Sequence, residues 1–507
     1  MGDTNTKLMD KLNELKLIAK NLTHLIHVQG LINWDMNTGI PEKAIPGRIE
    51  DMGYIYSLLI NMILSPSNGE LLEDLLEHKE ELNDIDRKMV EEFKKDYDDM
   101  VKIPPERNME YQKLCAESEA FWKIAKANND FEGFKPYLEK IYAFTKEFAE
   151  YIGYEGNVYN KVLNDYEKGL TVERTDKVFG ELRDGIVELL EKIKVSKAEV
   201  TDDFFNGYFP VKDQESFGKY VLEKLGYDFK AGRLDTTEHP FTTNFGNKDV
   251  RITTHYYEND LRSSFFSNIH EGGHGIYEQN SADELEGTGL SGGTSMGIHE
   301  SQSRYYENIL GRSKNFWTYF YPEFQKYFPQ FKDVALDKFY KGINKVQPSL
   351  IRIEADELTY SLHIIIRYEL ERAILNGELS IDEVPKAWNE KYKEYLGVEP
   401  KNDSEGVLQD THWGGGLIGY FPSYALGNVY GAQFLNKMKK DIENYEEEVK
   451  NGNFMVITKW LNENIHKYGK LYTPSELIVK VTGEALNPKY FLEYLNEKYS
   501  EIYELDK

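Results

Sequence analysis

The chain has 507 residues, 40% hydrophobic and 29% charged, a composition that suits a globular protein large enough to bury a sizeable core. Lys and Arg number 61 and Asp and Glu 87, so the net charge is 61 − 87 = −26, a field that repels phosphate backbones and anionic lipid and argues against nucleic-acid or membrane partners. The single cysteine, Cys115, rules out an internal disulfide and a Cys-rich zinc site and is expected to be a small buried hydrophobe. No apolar run reaches the length of a membrane span and no signal-peptide core is visible, so a cytoplasmic protein is expected.

Leu8, Leu12, Leu15, Leu17 and Ile18, continued by Leu22, Leu25 and Ile26, set a helical period at the start of the chain. Stretches around 70–98, 110–150, 170–195 and 436–450 repeat it, with Glu/Lys pairs three or four apart that mark solvated helix faces. The rhythm breaks between Arg233 and Tyr257. There Thr236-Thr237, Phe241-Thr242-Thr243 and Val250-Arg251-Ile252-Thr253-Thr254, around an Asn247-Lys248 turn, predict a small antiparallel sheet. A helix over about 259–278 follows, with Asp260 near its N-terminus and Phe265, Phe266 and Ile269 on its buried side. Without repeats, low-complexity tracts or Gly/Ser linkers, residues 1–507 read as one continuous, mainly α unit.

That helix carries His270-Glu271-Gly272-Gly273-His274, an H-E-x-x-H pattern. Residues four apart share a helix face, so His270 and His274 can grip one Zn²⁺, and Glu271 can reach a water beside it. The bland alternative is a pair of surface histidines. Gly272 and Gly273 argue against it, since each costs about 1 kcal/mol relative to Ala inside a helix. A helix accepts two such residues where a substrate or another backbone presses on it, and room for substrate is the expectation here. Tetrahedral zinc with one water needs a third protein ligand, a carboxylate or imidazole from another element. Downstream, after a turn at Ser291 to Ser295, the helix-periodic run from Gly297 to Asn308 offers Glu300, which on position alone could also be an ordinary helix glutamate. Two histidines and a carboxylate would also suit Co²⁺ or Mn²⁺.

Five segments in order, Asp249 to Thr254, His270 to His274, His299 to Gln302, Ile351 to Asp356 and Gly406 to Trp413, carry motifs by which the chain resembles the Taq-type zinc metallocarboxypeptidases over nearly its whole length. Asp249 to Thr254 matches D-x-R-x-T, and His270 to His274 matches H-E-x-x-H. His299-Glu300-Ser301-Gln302 matches H-E-S-x, whose glutamate is the family's third zinc ligand. Ile351 to Asp356 matches I-R-x-x-A-D, and Gly406 to Trp413 matches G-x-x-Q-D-x-H-W. Trp34-Asp35, Thr38, Pro41 and Arg48 also look like the family, while Ile40 stands where Met is expected. The resemblance implies a zinc carboxypeptidase that removes single C-terminal residues with broad specificity. It also implies a homodimer, and a large helical, cleft-forming architecture like that of neurolysin and angiotensin-converting enzyme, with a short sheet beside the active site.

Within that frame the catalytic candidates are Glu271 as general base and Tyr424 or His412, with Tyr420 behind them, as donors to a tetrahedral oxyanion. The loop Gly414-Gly415-Gly416 precedes this tyrosine stretch and could let it close over substrate. A free C-terminal carboxylate calls for an arginine fork. Arg352, in an apolar-flanked stretch read as helix, is the first candidate, with Asp356 one turn on either orienting it or simply pairing with it. Arg251 is the second, with a sheet-holding role equally open. His299 and Gln302 are expected behind the ligands or against substrate, and His255 is left unassigned. Rival readings are an endopeptidase or dipeptidyl carboxypeptidase on the same scaffold, and a silent zinc-stabilised binding protein.

Overall fold

Of the 1–507 span, the computed structural model describes residues 2–505. They are mainly helical, with one three-stranded sheet. The long predicted periods hold as helices but are cut where the backbone turns. The 70–98 stretch is divided between helices Pro66–Glu77 and Asp84–Val101, and 110–150 between Pro105–Asn128 and Phe131–Ile152. The second break is Asn129, whose left-handed backbone caps the preceding helix. The 436–450 stretch breaks after Asp441, where Asn444 takes a left-handed conformation before the short helix Tyr445–Lys450. No helix among the described residues is long and apolar enough to cross a membrane.

Two apolar cores organise these helices. The larger takes in most of the chain from Ala125 onwards. The smaller joins Leu8, Leu12 and Leu15 of helix Gly2–Thr38 to Leu72, Leu75, Met89 and Val90, and closes over Leu285 and Leu290. Those two leucines belong to the turn-rich segment between the H-E-x-x-H helix and the Glu300 helix, so the N-terminal helices grip the connection between them.

The sheet is mixed, which corrects the antiparallel expectation. Strand β1 (Leu234–Thr236) pairs parallel with β3 (Val250–Thr254), and β2 (Thr242–Asn244) pairs antiparallel with β3 from the other side. The chain runs up β1, returns along β2 with room for one strand between them, and fills that place with β3. Thr237 and Thr253 fix this arrangement by joining hydroxyls at 2.8 Å, and Thr253 Oγ1 also accepts from the Phe241 backbone N–H. Alternation in the sequence marks strands but carries no pairing direction.

Candidate active site

The H-E-x-x-H helix runs Leu261–Gln279, and the Asp260 side chain caps it by accepting from the backbone of Arg262 and Ser263. Phe265, Phe266 and Ile269 are buried as expected. The two glycines serve a different purpose from room for substrate. A Cβ on Gly273 would lie 2.7 Å from Ser303 Cα and 2.8 Å from the Gln302 carbonyl oxygen, and one on Gly272 would meet Leu222. Gly273 therefore lets helix Met296–Arg304 lie backbone to backbone against the motif helix. Gly427 does the same from helix Pro422–Asp441, where a Cβ would come within 2.7 Å of Glu300 Cβ. Three helices close on one point because two of them lack a side chain there.

At that point His270, His274 and Glu300 place their ligand atoms within 4.8 Å of one another. Glu300 Oε2 lies 3.8 Å from His270 Nε2 and 3.5 Å from His274 Nε2. The outer ring nitrogens are tied back. His270 Nδ1 meets Glu307 Oε2 at 2.7 Å, and His274 Nδ1 meets His299 Nδ1 at 2.6 Å, with His299 Nε2 in turn on Glu278. Such partners turn each Nε2 inwards, so the donor set fits a divalent ion. Arg304 Nε donates to Glu300 Oε1 at 2.7 Å, and Glu307 lies in a π-helical turn, Tyr305–Leu310, that continues the Glu300 helix. Burial alone would raise the Glu300 carboxyl, but Arg304 and the two imidazoles hold it well below the usual range. Against the same burial, Arg304 and His270 bring Glu307 down to about 2.

Glu271 is buried, and its Oε2 accepts from the Thr242 hydroxyl of β2 at 2.5 Å. The sheet thus sets the orientation of the candidate base. His412 Nε2 lies 3.2 Å from the Tyr424 hydroxyl, while its Nδ1 is buried without a partner. Burial outweighs the nearby Asp410 and lowers His412 to about 4, so its ring is neutral at neutral pH. Burial also keeps the Tyr424 phenol protonated, well above its ordinary value, and pushes Tyr420 up to about 12.

Arg352 departs from its predicted setting. It opens a single 3₁₀ turn, Arg352–Glu354, and Asp356 is not its partner: Asp356 caps helix Glu357–Leu375 through the Thr359 backbone N–H. Arg352 Nε donates to Asp410 Oδ1 at 3.0 Å and its NH1 to the Tyr360 hydroxyl at 3.1 Å. Asp410 is shared with the fully buried Arg367, whose NH2 approaches Oδ2 at 2.6 Å. Among the described residues Asp410 is the one carboxylate in ion-pair range of either guanidinium, so two positive charges and one negative leave a surplus of one. Against burial, the two arginines hold Asp410 well below the carboxylate range. The Tyr360 ring also packs on Arg304, with the guanidinium carbon 4.1 Å from its centroid, and so links this trio to Glu300.

The remaining candidates lie away from this point. Arg251 is bidentate to Asp249 in its own strand segment and stacks on Trp34 and Phe245, which favours its sheet-holding role. Gln302 is buried against His466 and Ser301, behind the ligands rather than on substrate. His255 Nδ1 bonds the Thr237 carbonyl. Cys115 is half-buried beneath Gly416 instead of fully enclosed. Thr242, Arg304, Glu307, Tyr360 and Arg367 escaped the sequence reading. Only Arg304 and Glu307 left a signal there, since they follow Glu300 by four and seven residues on one helix face.

Comparison with known proteins agrees over nearly the full length. Residues 14–499 match the family described as Carboxypeptidase Taq (M32) metallopeptidase. The chain is 45% identical to Carboxypeptidase 1 of Bacillus subtilis, over 96% of this chain and 97% of that protein. It is 40% identical to Thermostable carboxypeptidase 1 of Thermus thermophilus, over 96% and 97% of the two chains. The crystal structure of the M32 carboxypeptidase from Deinococcus radiodurans superposes with a TM-score of 0.95 at 36% identity, covering 98% of this chain and 100% of that one. The chain therefore belongs to the Taq (M32) family of metallocarboxypeptidases, and is a metal-dependent peptide hydrolase.

Proposed function

We propose that the protein is a zinc carboxypeptidase that removes single residues from free peptide C-termini, with broad specificity, by promoted-water hydrolysis. One juxtaposition carries this reading. The His270–His274–Glu300 cluster and the surplus positive charge at Arg352 and Arg367 are joined through Arg304 and Tyr360. An exopeptidase needs both, a place to activate water and a cation to receive the terminal carboxylate.

When bound, the ion supplies Lewis acidity that polarises the scissile carbonyl and acidifies water. Glu271, fixed at Oε2 by Thr242, takes the proton of the attacking water and returns it to the leaving amine. The Tyr424 hydroxyl, kept protonated by burial and aligned by His412, donates to the developing oxyanion. Arg352, oriented by Asp410 rather than Asp356, receives the substrate's terminal carboxylate, which neutralises the surplus charge. Chelation is expected to stop release of C-terminal residues, and one Zn²⁺ per chain to restore it. Hydrolysis indifferent to the chelator would contradict the reading.

A homodimer is proposed as well. Helix Ile45–Ile63 is rich in apolar residues, yet only Leu59 of it is buried. Ile49 and Tyr54 are exposed on it, as are Ile26 and Leu31 on the neighbouring helix Gly2–Thr38. Exposed apolar area of this kind suits a second copy of the chain.

A further inference from the structure

The segment 401–421, which carries Asp410, His412 and Tyr420, contains neither helix nor strand. Turn hydrogen bonds, such as the one the Leu417 backbone N–H donates to the His412 carbonyl at 2.9 Å, shape the segment locally, and side chains fix it to the rest of the fold. Helix Glu357–Leu375 does so with two side chains one turn apart. Arg367 Nε donates to Asp410 Oδ2 at 2.7 Å, and its NH2 to Gln409 Oε1 at 2.8 Å. Glu371, fully buried, accepts from Trp413 Nε1 at 2.7 Å and from the Gly419 backbone N–H at 3.0 Å. The segment is thus tied on both sides of His412, to a guanidinium at Asp410 and to a carboxylate at Trp413.

Two details set Glu371 apart from ordinary core packing. It has no ion-pair partner among the described residues, and its donors are all neutral: Trp413, Gly419 and the Tyr159 hydroxyl at 2.5 Å. A carboxylate accepts on both oxygens and so satisfies three donors at once, which an amide of the same shape cannot do. The Gly419 N–H reaches it only because that position lacks a side chain. At φ +90° a Cβ there would lie 2.8 Å from Val162 Cβ and from the Val162 carbonyl oxygen. Burial outweighs the three hydrogen bonds and the charge of Arg367 one turn away, and pushes Glu371 up to about 7.

We propose that Glu371 is a positioning residue for the peptidase reaction: with Arg367 it clamps the 409–419 segment and sets where His412 Nε2 meets the Tyr424 hydroxyl. The proposal rests on the roles given above to His412 and Tyr424. It is tested by measuring kcat, KM and bound metal for Glu371→Gln in the wild-type and His412→Ala backgrounds. Glu371→Gln alone is expected to lower kcat by about 10²-fold, the scale of a misplacement near 1 Å, with KM and metal content little changed. In the His412→Ala background the same change is expected to alter kcat by less than about threefold, because the group it positions is gone. Trp413→Phe removes a single donor and is expected to cost about tenfold in kcat, so it carries the same cycle should the glutamine variant not fold. Wild-type kcat in Glu371→Gln, or an equal loss in both backgrounds, would overturn the clamp. Wild-type kcat in His412→Ala alone would instead remove the role of His412, and the proposal with it.

Discussion

In the proposed mechanism Glu271 is the residue on which turnover depends most directly, and its contacts make it separable from metal binding. Its buried carboxylate is oriented by Thr242 rather than by His270, His274 or Glu300. Glu271→Gln keeps the shape and is expected to lower kcat by at least about 10²-fold, the lower end of general-base contributions, with zinc content by elemental analysis unchanged. With the proposed ligand set, His270 would govern the pH dependence of metal loading. In the metal-free protein burial alone would lower it, but Glu300 and Glu307 override burial and raise it to about 9. That value lies above the ordinary 6.5, so the stability lent by the charged imidazole is complete below pH 6.5 and is lost as pH rises through 9. Metal binding has the opposite sign, since the ion must displace this proton. Apparent zinc affinity, measured against a competing chelator, should therefore climb by up to about tenfold per unit between about pH 6 and pH 8. A flat profile would show that His270 does not carry that proton.

The arrangement of helices depends on what is missing at Gly273 and Gly427, and two opposing effects can be weighed there and at Gly272. Helix propensity alone says that Gly→Ala stabilises by about 1 kcal/mol. Overpacking costs roughly 1–3 kcal/mol, and most where the obstacle cannot move. At Gly273 the obstacle is the backbone of Gln302 and Ser303, and at Gly427 it is Glu300 itself, whereas at Gly272 it is a Leu222 methyl that can rotate. Gly273→Ala and Gly427→Ala should therefore lower the Tm and weaken zinc binding, while Gly272→Ala stays close to wild type. Equal Tm values for all three by calorimetry would contradict this packing. The same glycines show what the sequence could and could not tell. The cost of Gly272 and Gly273 in a helix was visible in the motif, as was the need for something pressed against it, whereas Gly427 left no such signal. That the visitor is another helix rather than substrate depends on which segments meet, and spacing does not encode it. Asp260 as a cap and Val250 to Thr254 as a strand were local signals and were legible. Arg352's true partner lies 58 residues away at Asp410, so the nearby Asp356 drew a pairing that the 3₁₀ turn does not allow.

Over the whole molecule a net charge of −26 surrounds a buried trio with one positive charge to spare. The composition revealed the first and, having no spatial content, could not reveal the second. The helical class and the position of the sheet beside the motif helix were readable because each rests on local periodicity, while the mixed pairing of the sheet was not. Association is open to direct measurement. Sedimentation velocity is expected to give twice the chain mass, and Ile49→Asp with Tyr54→Lys to give one chain mass with activity retained, since neither side chain belongs to the candidate site. A wild-type monomer would remove the dimer proposal. The exopeptidase reading proposes that the Arg352–Arg367–Asp410 trio receives a free carboxylate one residue beyond the His270–His274–Glu300 cluster. Mass spectrometry of one peptide digested with a free and with an amidated C-terminus tests it most directly. The account predicts a ladder of single-residue losses from the free peptide and intact amide. Internal cleavage, losses of two residues at a time, or equal cutting of the amide would contradict it.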